Sequence, residues 1–395
     1  MKNYAVAASR RIDREESDYG IMKDRREGKE SDYGFGQNRR KKMNQKDKTE
    51  RIYVASDYME GAHPHILRRL QETNYDKTPG YGTDEICQSA RERIRQACAC
   101  PEAEVHFLVG GTQTNSTVIR ALLSYYQGVI AADTGHISLH ESGAIEAGGH
   151  KVLPLPSHLG KIDAEQIEAY LRAFYEDANH EHMVMPGMVY VSHPTEYGTL
   201  YSREELSAIH QVCQSYGIPL YVDGARMAYA LACPENELSL TDFARLTDVF
   251  YIGGTKCGAF IGEAVVIPKK GLIPHFFTII KQSGALLAKG RFLGIQFDEL
   301  FRDDLYLQIG REAVRLAQKL QAALIDMGYR IHFHSPTNQI FVVMDQERLD
   351  RLEQQVSYDF WEKLDETHTA IRFCTSWATE EKTIDALIDI LRKLA

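Results

Sequence analysis

Residues 248–258 read Asp248-Val249-Phe250-Tyr251-Ile252-Gly253-Gly254-Thr255-Lys256-Cys257-Gly258, and upstream of them stands Ile218-Pro219-Leu220-Tyr221-Val222-Asp223. A third run of the same texture is Met188-Val189-Tyr190-Val191-Ser192. Each is short, apolar, rich in β-branched and aromatic residues, and closed by polar or glycine residues. Strands buried on both faces of a parallel sheet read this way. The intervals carry helical periodicity: from Glu204 to Tyr216, Leu206, Ile209, Val212 and Cys213 share one face. Alternation of the two patterns predicts an α/β protein whose central, mostly parallel sheet is flanked by helices. In open sheets of that kind ligands bind beyond the carboxyl ends of the strands. The segments His193-Pro194, Asp223-Gly224 and Gly253 to Lys256 are therefore expected to line a site.

Further along, a long amphipathic stretch near Glu312 is followed by Arg330 to His334, Gln339 to Met344 and a closing helix, Thr383 to Leu394. This mixture predicts a smaller α+β C-terminal domain over 306–395. The large domain then covers 51–305, with its first part, near residue 60, packing against the small one. Residues 1–50 differ: they are charged and lack a face to bury, which predicts a disordered arm. The arm repeats itself (Glu16 to Gly20, Glu30 to Gly34) and carries the basic cluster Arg39-Arg40-Lys41-Lys42. It reads either as a tail for an anionic partner or for targeting, or as a solvated extension or upstream translation artefact.

The chain has 395 residues, 44% of them hydrophobic, enough to bury a core. A formal net charge of -9 argues against a nucleic-acid surface, which requires clustered Lys and Arg, and favours a small-molecule substrate. The seven cysteines are scattered without a C-x-x-C pair, so neither a disulfide framework nor a zinc ribbon is expected, and a cytoplasmic location is the default. No run approaches the roughly 20 apolar residues that span a bilayer, and the apolar run near Met1 is too short for a signal-peptide core.

Three positions carry chemistry. Lys256 ends an apolar strand on a tight glycine turn, where desolvation can favour the neutral amine that bonds covalently to a carbonyl cofactor; the other reading is a surface cation at a strand end. Asp223 ends the neighbouring strand, where a carboxylate needs a cationic partner. That partner is either a pyridinium nitrogen, which it would keep protonated, or Arg226 in a structural salt bridge. Third, Gly110-Gly111-Thr112 precedes the helical run Ser116 to Leu123, and a glycine-rich helix start suits a phosphate.

In this order the three resemble the aspartate-aminotransferase superfamily of pyridoxal-phosphate enzymes, fold type I, and more narrowly its threonine aldolase branch among the β-eliminating lyases. The resemblance rests also on Ser56-Asp57, Tyr81-Gly82-Thr83-Asp84, Gly111 to Asn115, His136 with Glu141-Ser142-Gly143, Asp223-Gly224-Ala225-Arg226, Thr255-Lys256 and Arg372-Phe373-Cys374-Thr375, which together cover about 55 to 390. It implies pyridoxal 5'-phosphate as cofactor, bound by Gly111, Thr112, His136, Asp223, Arg226, Thr255 and Lys256. It implies Lys256, His136 and Asp223 as the catalytic groups, and Ser56, Arg226 and Arg372 around the substrate carboxylate. It further implies a homotetramer, a dimer of dimers, with no metal. The reaction implied is cleavage of L-threonine or L-allo-threonine to glycine and acetaldehyde: a base takes the hydroxyl proton, the aldehyde leaves, and Cα regains a proton. His136 is that base, or positions a water that is, or else serves the fold. The rival readings are another pyridoxal-phosphate β-eliminating lyase or aminotransferase, and a non-catalytic pyridoxal-phosphate protein that binds a partner.

Departures exist. Relatives carry Glu-Asn-Thr-His-Asn or similar after the strand preceding the aspartate, where this chain has Ser192-His193-Pro194-Thr195-Glu196-Tyr197-Gly198. In the loop 281–291, Lys289 or Arg291 would reach a neighbouring subunit's phosphate, or the loop is simply a solvated basic one. The pairs His63/His65, His180/His182 and His332/His334 suggest metal ligation by spacing, but each lacks a third ligand and is read as coincidence.

Overall fold

The structure, a computed structural model, describes residues 51–395. The arm predicted over 1–50 lies outside the described residues. The central sheet has seven strands: β1 (Glu104–Leu108), β2 (Gln127–Ala132), β3 (Val152–Leu155), β4 (Met185–Ser192), β5 (Leu220–Asp223), β6 (Val249–Gly253) and β7 (Glu263–Ile267). They lie in the order β1-β7-β6-β5-β4-β2-β3. Pairings from β6 to β3 are all parallel, and β7 alone runs antiparallel to its two neighbours.

Strand alternation sorts the core. Val189, Val191, Leu220, Val222, Phe250 and Ile252 face one layer, while Met188, Tyr190, Tyr221, Val249 and Tyr251 face the other. With both faces covered, every residue of β5 and β6 is buried, which is why these strands read as unbroken apolar runs. The period of two also sends Tyr190, Tyr221 and Tyr251 to the same side, where the helix α1 (Gly111–Leu122) packs through Val118 and Ile119. The expected helix at Ser116 thus begins at Gly111, so the glycine-threonine pair forms its first turn. The helix predicted over 204–216 is α2 (Arg203–Tyr216), opened by a reciprocal Ser202/Glu205 capping box and closed by left-handed Gly217.

A four-stranded antiparallel sheet follows, built from β8 (Arg330–Ile331), β9 (Gln339–Asp345), β10 (Asp359–Lys363) and β11 (His368–Cys374) in the order β10-β11-β9-β8. Its core includes Val54, and the two-residue strand Ile52–Tyr53 pairs parallel with Val356–Ser357. The long helix α3 (Leu305–Asp326) joins the two halves. Leu305, Ile309 and Val314 belong to the large core, whereas Leu316, Leu320 and Leu324 belong to the small one. A closing helix, α4 (Glu381–Arg392), packs Ile384, Leu387 and Leu391 into that second core. All seven cysteines are free, and among the described residues no helix is long and apolar enough to cross a membrane.

Candidate active site

The turns after β5 and β6 interlock. A Cβ on Gly224 would stand 2.1 Å from the Tyr251 carbonyl oxygen, and one on Gly253 would stand 2.2 Å from that of Ala225. Only glycine lets the two backbones meet, and their meeting brings Asp223 and Lys256 to one cavity.

Lys256 is half-buried; desolvation first, then the charge of Arg226, pushes its amine below the ordinary lysine range against the pull of Asp57, Asp223 and Glu263. This favours the neutral, nucleophilic form. Thr255 next to it is committed to the turn: its hydroxyl donates to Glu263 Oε1 at 2.8 Å and accepts from the Gly262 N–H at 3.0 Å. Burial raises the Glu263 carboxyl from its usual 4.5 to about 8, even though Glu263 accepts from Thr255 and from the Gly254 N–H.

Asp223 is 4% exposed. It accepts from Asn115 Nδ2 at 2.9 Å, from the Tyr190 hydroxyl at 2.7 Å and from the Ala225 N–H at 3.0 Å. Burial pushes its carboxyl up, but the charge of His136 and the hydrogen bonds of Tyr251, Asn115 and Tyr190 outweigh this and hold it below the usual carboxylate range. It is an anion in a buried place without a guanidinium on it. The salt bridge to Arg226 that the sequence left open does not form. Arg226 instead grips Asp57 with Nε and Nη2, at 2.6 and 3.0 Å, and Asn338 Nδ2 donates to the same carboxylate at 2.9 Å. Despite the cost of burial, Asp57 raises the Arg226 pKa above the guanidinium range, and Arg226 in turn helps pull Asp57 from 3.8 to about 2 against its own burial.

His136 opens a short helix (His136–Leu139) after β2. Its Nδ1 lies 2.9 Å from Glu141 Oε1, and its N–H donates to Glu196 Oε1 at 2.9 Å, which also accepts from Ser192 Oγ at 2.8 Å. Glu196 thus occupies the place that the divergent 192–198 segment left undefined. Its other oxygen, Oε2, is buried without a partner.

Gly111, Thr112, His136, Asp223, Arg226, Thr255 and Lys256 line one cavity of about 240 Å³. Arg372 lines an adjoining cavity of about 580 Å³, which shares Tyr58, His136, Glu196, Arg226 and Lys256 with the first. Its Nη2 donates to Asp359 at 2.6 Å and its Nη1 to Gln339 at 2.8 Å, over the face of Trp361. Ser56 is half-buried and lines neither cavity. In the 281–291 loop, Arg291 donates to the carbonyls of Asp76 and Asn74 of its own chain, while Lys289 is exposed. Among the described residues, no group of three His, Cys, Asp or Glu side chains is arranged to hold a metal.

The donor set fits pyridoxal 5'-phosphate. No side chain caps α1, so its first N–H groups and Thr112 face the cavity as an anion cradle. An ionised buried carboxylate at 223, a desolvated amine at 256 and an imidazole at 136 offer partners for a ring nitrogen, an aldehyde carbon and a ring face. Sequence reasoning quoted Asp57, Asn115 and Glu141 only as parts of the resembling motifs, without a role, and missed Tyr190 and Glu196 as participants. For Tyr190 the available signal was that Tyr190, Tyr221 and Tyr251 recur at equivalent places in three apolar strands.

The family model described as beta-eliminating lyase matches residues 54–347. The low specificity L-threonine aldolase of Pseudomonas aeruginosa is 30% identical over 344 residues, 86% of this chain and 96% of the relative. A solved structure of Leishmania major threonine aldolase superposes with a TM-score of 0.84 at 42% identity, covering 87% of this chain and all of that one. Aspartate aminotransferase from Thermus thermophilus matches at a TM-score of 0.65 and 16% identity over 88% of this chain and 92% of its own, a likeness of fold alone.

Proposed function

The chain belongs to the beta-eliminating lyase family, and from that premise we propose that it is a pyridoxal-phosphate-dependent aldolase cleaving L-threonine or L-allo-threonine to glycine and acetaldehyde. The observation that carries this reading is the convergence of the Lys256 amine, the Asp223 carboxylate and the open start of α1 on one cavity, with His136 beside them. When bound, the cofactor supplies an electron sink for the pair left on Cα.

The chain's own groups do the rest. The first turn of α1 and Thr112 bind the phosphate. Asp223, held ionised by its donors, keeps a proton on the ring nitrogen. Lys256 would hold the cofactor covalently, and its amine, which lines the same cavity, would serve as a base there. Arg226, which lines both cavities, and Arg372, which lines the second, orient the substrate carboxylate, which fixes which bond at Cα breaks; Ser56, outside both linings, is left without a part in this. His136, steadied by Glu141 at Nδ1, takes the proton of the β-hydroxyl directly or through a water. Incubating the protein with cofactor and threonine should yield glycine and acetaldehyde in equal amounts. Production of a 2-oxo acid instead would favour β-elimination or transamination.

We further propose a homotetramer in the cytoplasm. Tyr58, which lines both cavities and is 57% exposed, supports a neighbouring subunit closing the mouth, and exposed Lys289 is then the cation of the 281–291 loop that reaches across. Seven free cysteines suit a reducing compartment. The two domains meet near 305, with α3 as their shared strut.

A further inference from the structure

Two carboxylates, those of Asp223 and Glu141, approach a single amide. Asn115 is 0% exposed and sits one helical turn after Gly111 on α1, on the face that meets the cavity. Its Nδ2 donates to Glu141 Oε1 at 2.7 Å and to Asp223 Oδ2 at 2.9 Å. Its Oδ1 accepts from the Tyr221 hydroxyl at 2.8 Å. Carboxylate oxygens accept, so the amide nitrogen faces them, and the Tyr221 O–H donates to the amide oxygen on the other side. Both hydrogens of the amide are spent on these two carboxyl groups, which it bridges within the buried interior.

Resting on the reading above, we propose that Asn115 is a positioning residue that holds the Asp223 and Glu141 carboxylates in one frame, so that the acid on the cofactor's ring nitrogen and the histidine at the substrate are aligned by one side chain. The chain of contacts runs from Asp223 through Asn115 to Glu141 and on to His136 Nδ1 at 2.9 Å. Tyr190, Tyr221, Tyr251, Glu196 and His136 are the other titratable groups around the pair. Helix α1 thereby presents the phosphate cradle at its first turn and the clamp at its second.

The test compares wild type with Asn115→Asp and Tyr221→Phe. Asn115→Asp is isosteric but turns an acceptor toward two acceptors. Tyr221→Phe leaves the amide in place and removes only the bond to its oxygen. The readouts are the low-field proton resonance of His136 Nδ1 in cofactor-free protein labelled with nitrogen-15 histidine, and the separate kcat and KM for threonine in holoenzyme. Asn115→Asp is expected to shift or abolish the resonance and lower kcat by about 10- to 100-fold, as losses of outer partners do, with KM nearly unchanged. Tyr221→Phe is expected to do the same at smaller size. Wild-type resonance and kcat in both variants, with only a lower melting temperature, would overturn the proposal. If Asn115→Asp does not fold, wild-type behaviour of Tyr221→Phe overturns it alone. A wild type that binds cofactor yet fails to cleave threonine contradicts the aldolase reading instead, and the resonance still decides the clamp.

Discussion

Lys256 and Asp223 could be read because each closes an apolar strand, where a charge is costly and therefore informative. Their partners could not. Arg226 and Asp57 lie 169 positions apart, and nothing local announces that the guanidinium of Asp223-Gly224-Ala225-Arg226 turns away from its own aspartate. The pair gives a direct stability prediction. Asp57→Asn leaves Arg226 as an uncompensated buried charge and should cost about 3–5 kcal/mol in denaturant unfolding at neutral pH. Because the folded Asp57 pKa is lowered from 3.8 to about 2, its stabilisation is present above the unfolded value and is lost as pH falls through the folded one. The gap between wild type and variant should therefore shrink between about pH 4 and pH 2. His136 was legible only through the resemblance, since Glu141 and Glu196 reach it by tertiary folding. His136→Ala should lower kcat for threonine by about 10²- to 10⁴-fold while the bound-cofactor absorption persists; an unchanged kcat would remove the histidine from the proton path.

The sheet was legible element by element because buried parallel strands leave unbroken apolar runs, and β4, β5 and β6 each overlap their expected segment. Boundaries were less so. Helix α1 starts at Gly111, because Gly110 is extended at φ -167° and leaves the following N–H groups to open the helix, a choice that local propensity around two glycines does not reveal. The interlock of the two strand-end turns was also invisible, since it depends on Gly224 and Gly253 facing backbone from another strand. Gly224→Ala, whose Cβ would meet the Tyr251 carbonyl at 2.1 Å, should destabilise by at least the roughly 1–3 kcal/mol of an overpacked core and weaken cofactor binding. Gly110→Ala, with nothing within 4 Å, should stay within about 1 kcal/mol of wild type. Paired melting curves distinguish the two.

On the scale of the whole molecule, the order of cradle, aspartate and lysine along the chain corresponds to three regions at the carboxyl ends of strands β1, β5 and β6, which is why linear spacing carried so much of the fold. What that order cannot carry is how chains assemble, because the surfaces involved are read only after folding. Light scattering on the purified holoenzyme should give the mass of four chains, and Lys289→Ala should lower cofactor affinity without changing the isolated fold; a monomer with full activity would contradict the shared-site picture. The central claim is that Lys256 anchors a cofactor whose ring nitrogen Asp223 holds and that this pair cleaves a β-hydroxy amino acid. The most direct measurement is the visible absorption spectrum of wild type and Lys256→Ala, recorded before and after threonine while acetaldehyde is assayed. The account predicts a cofactor band in wild type that changes on adding threonine as acetaldehyde appears, with no turnover in the variant; equal acetaldehyde production by the two proteins would contradict it.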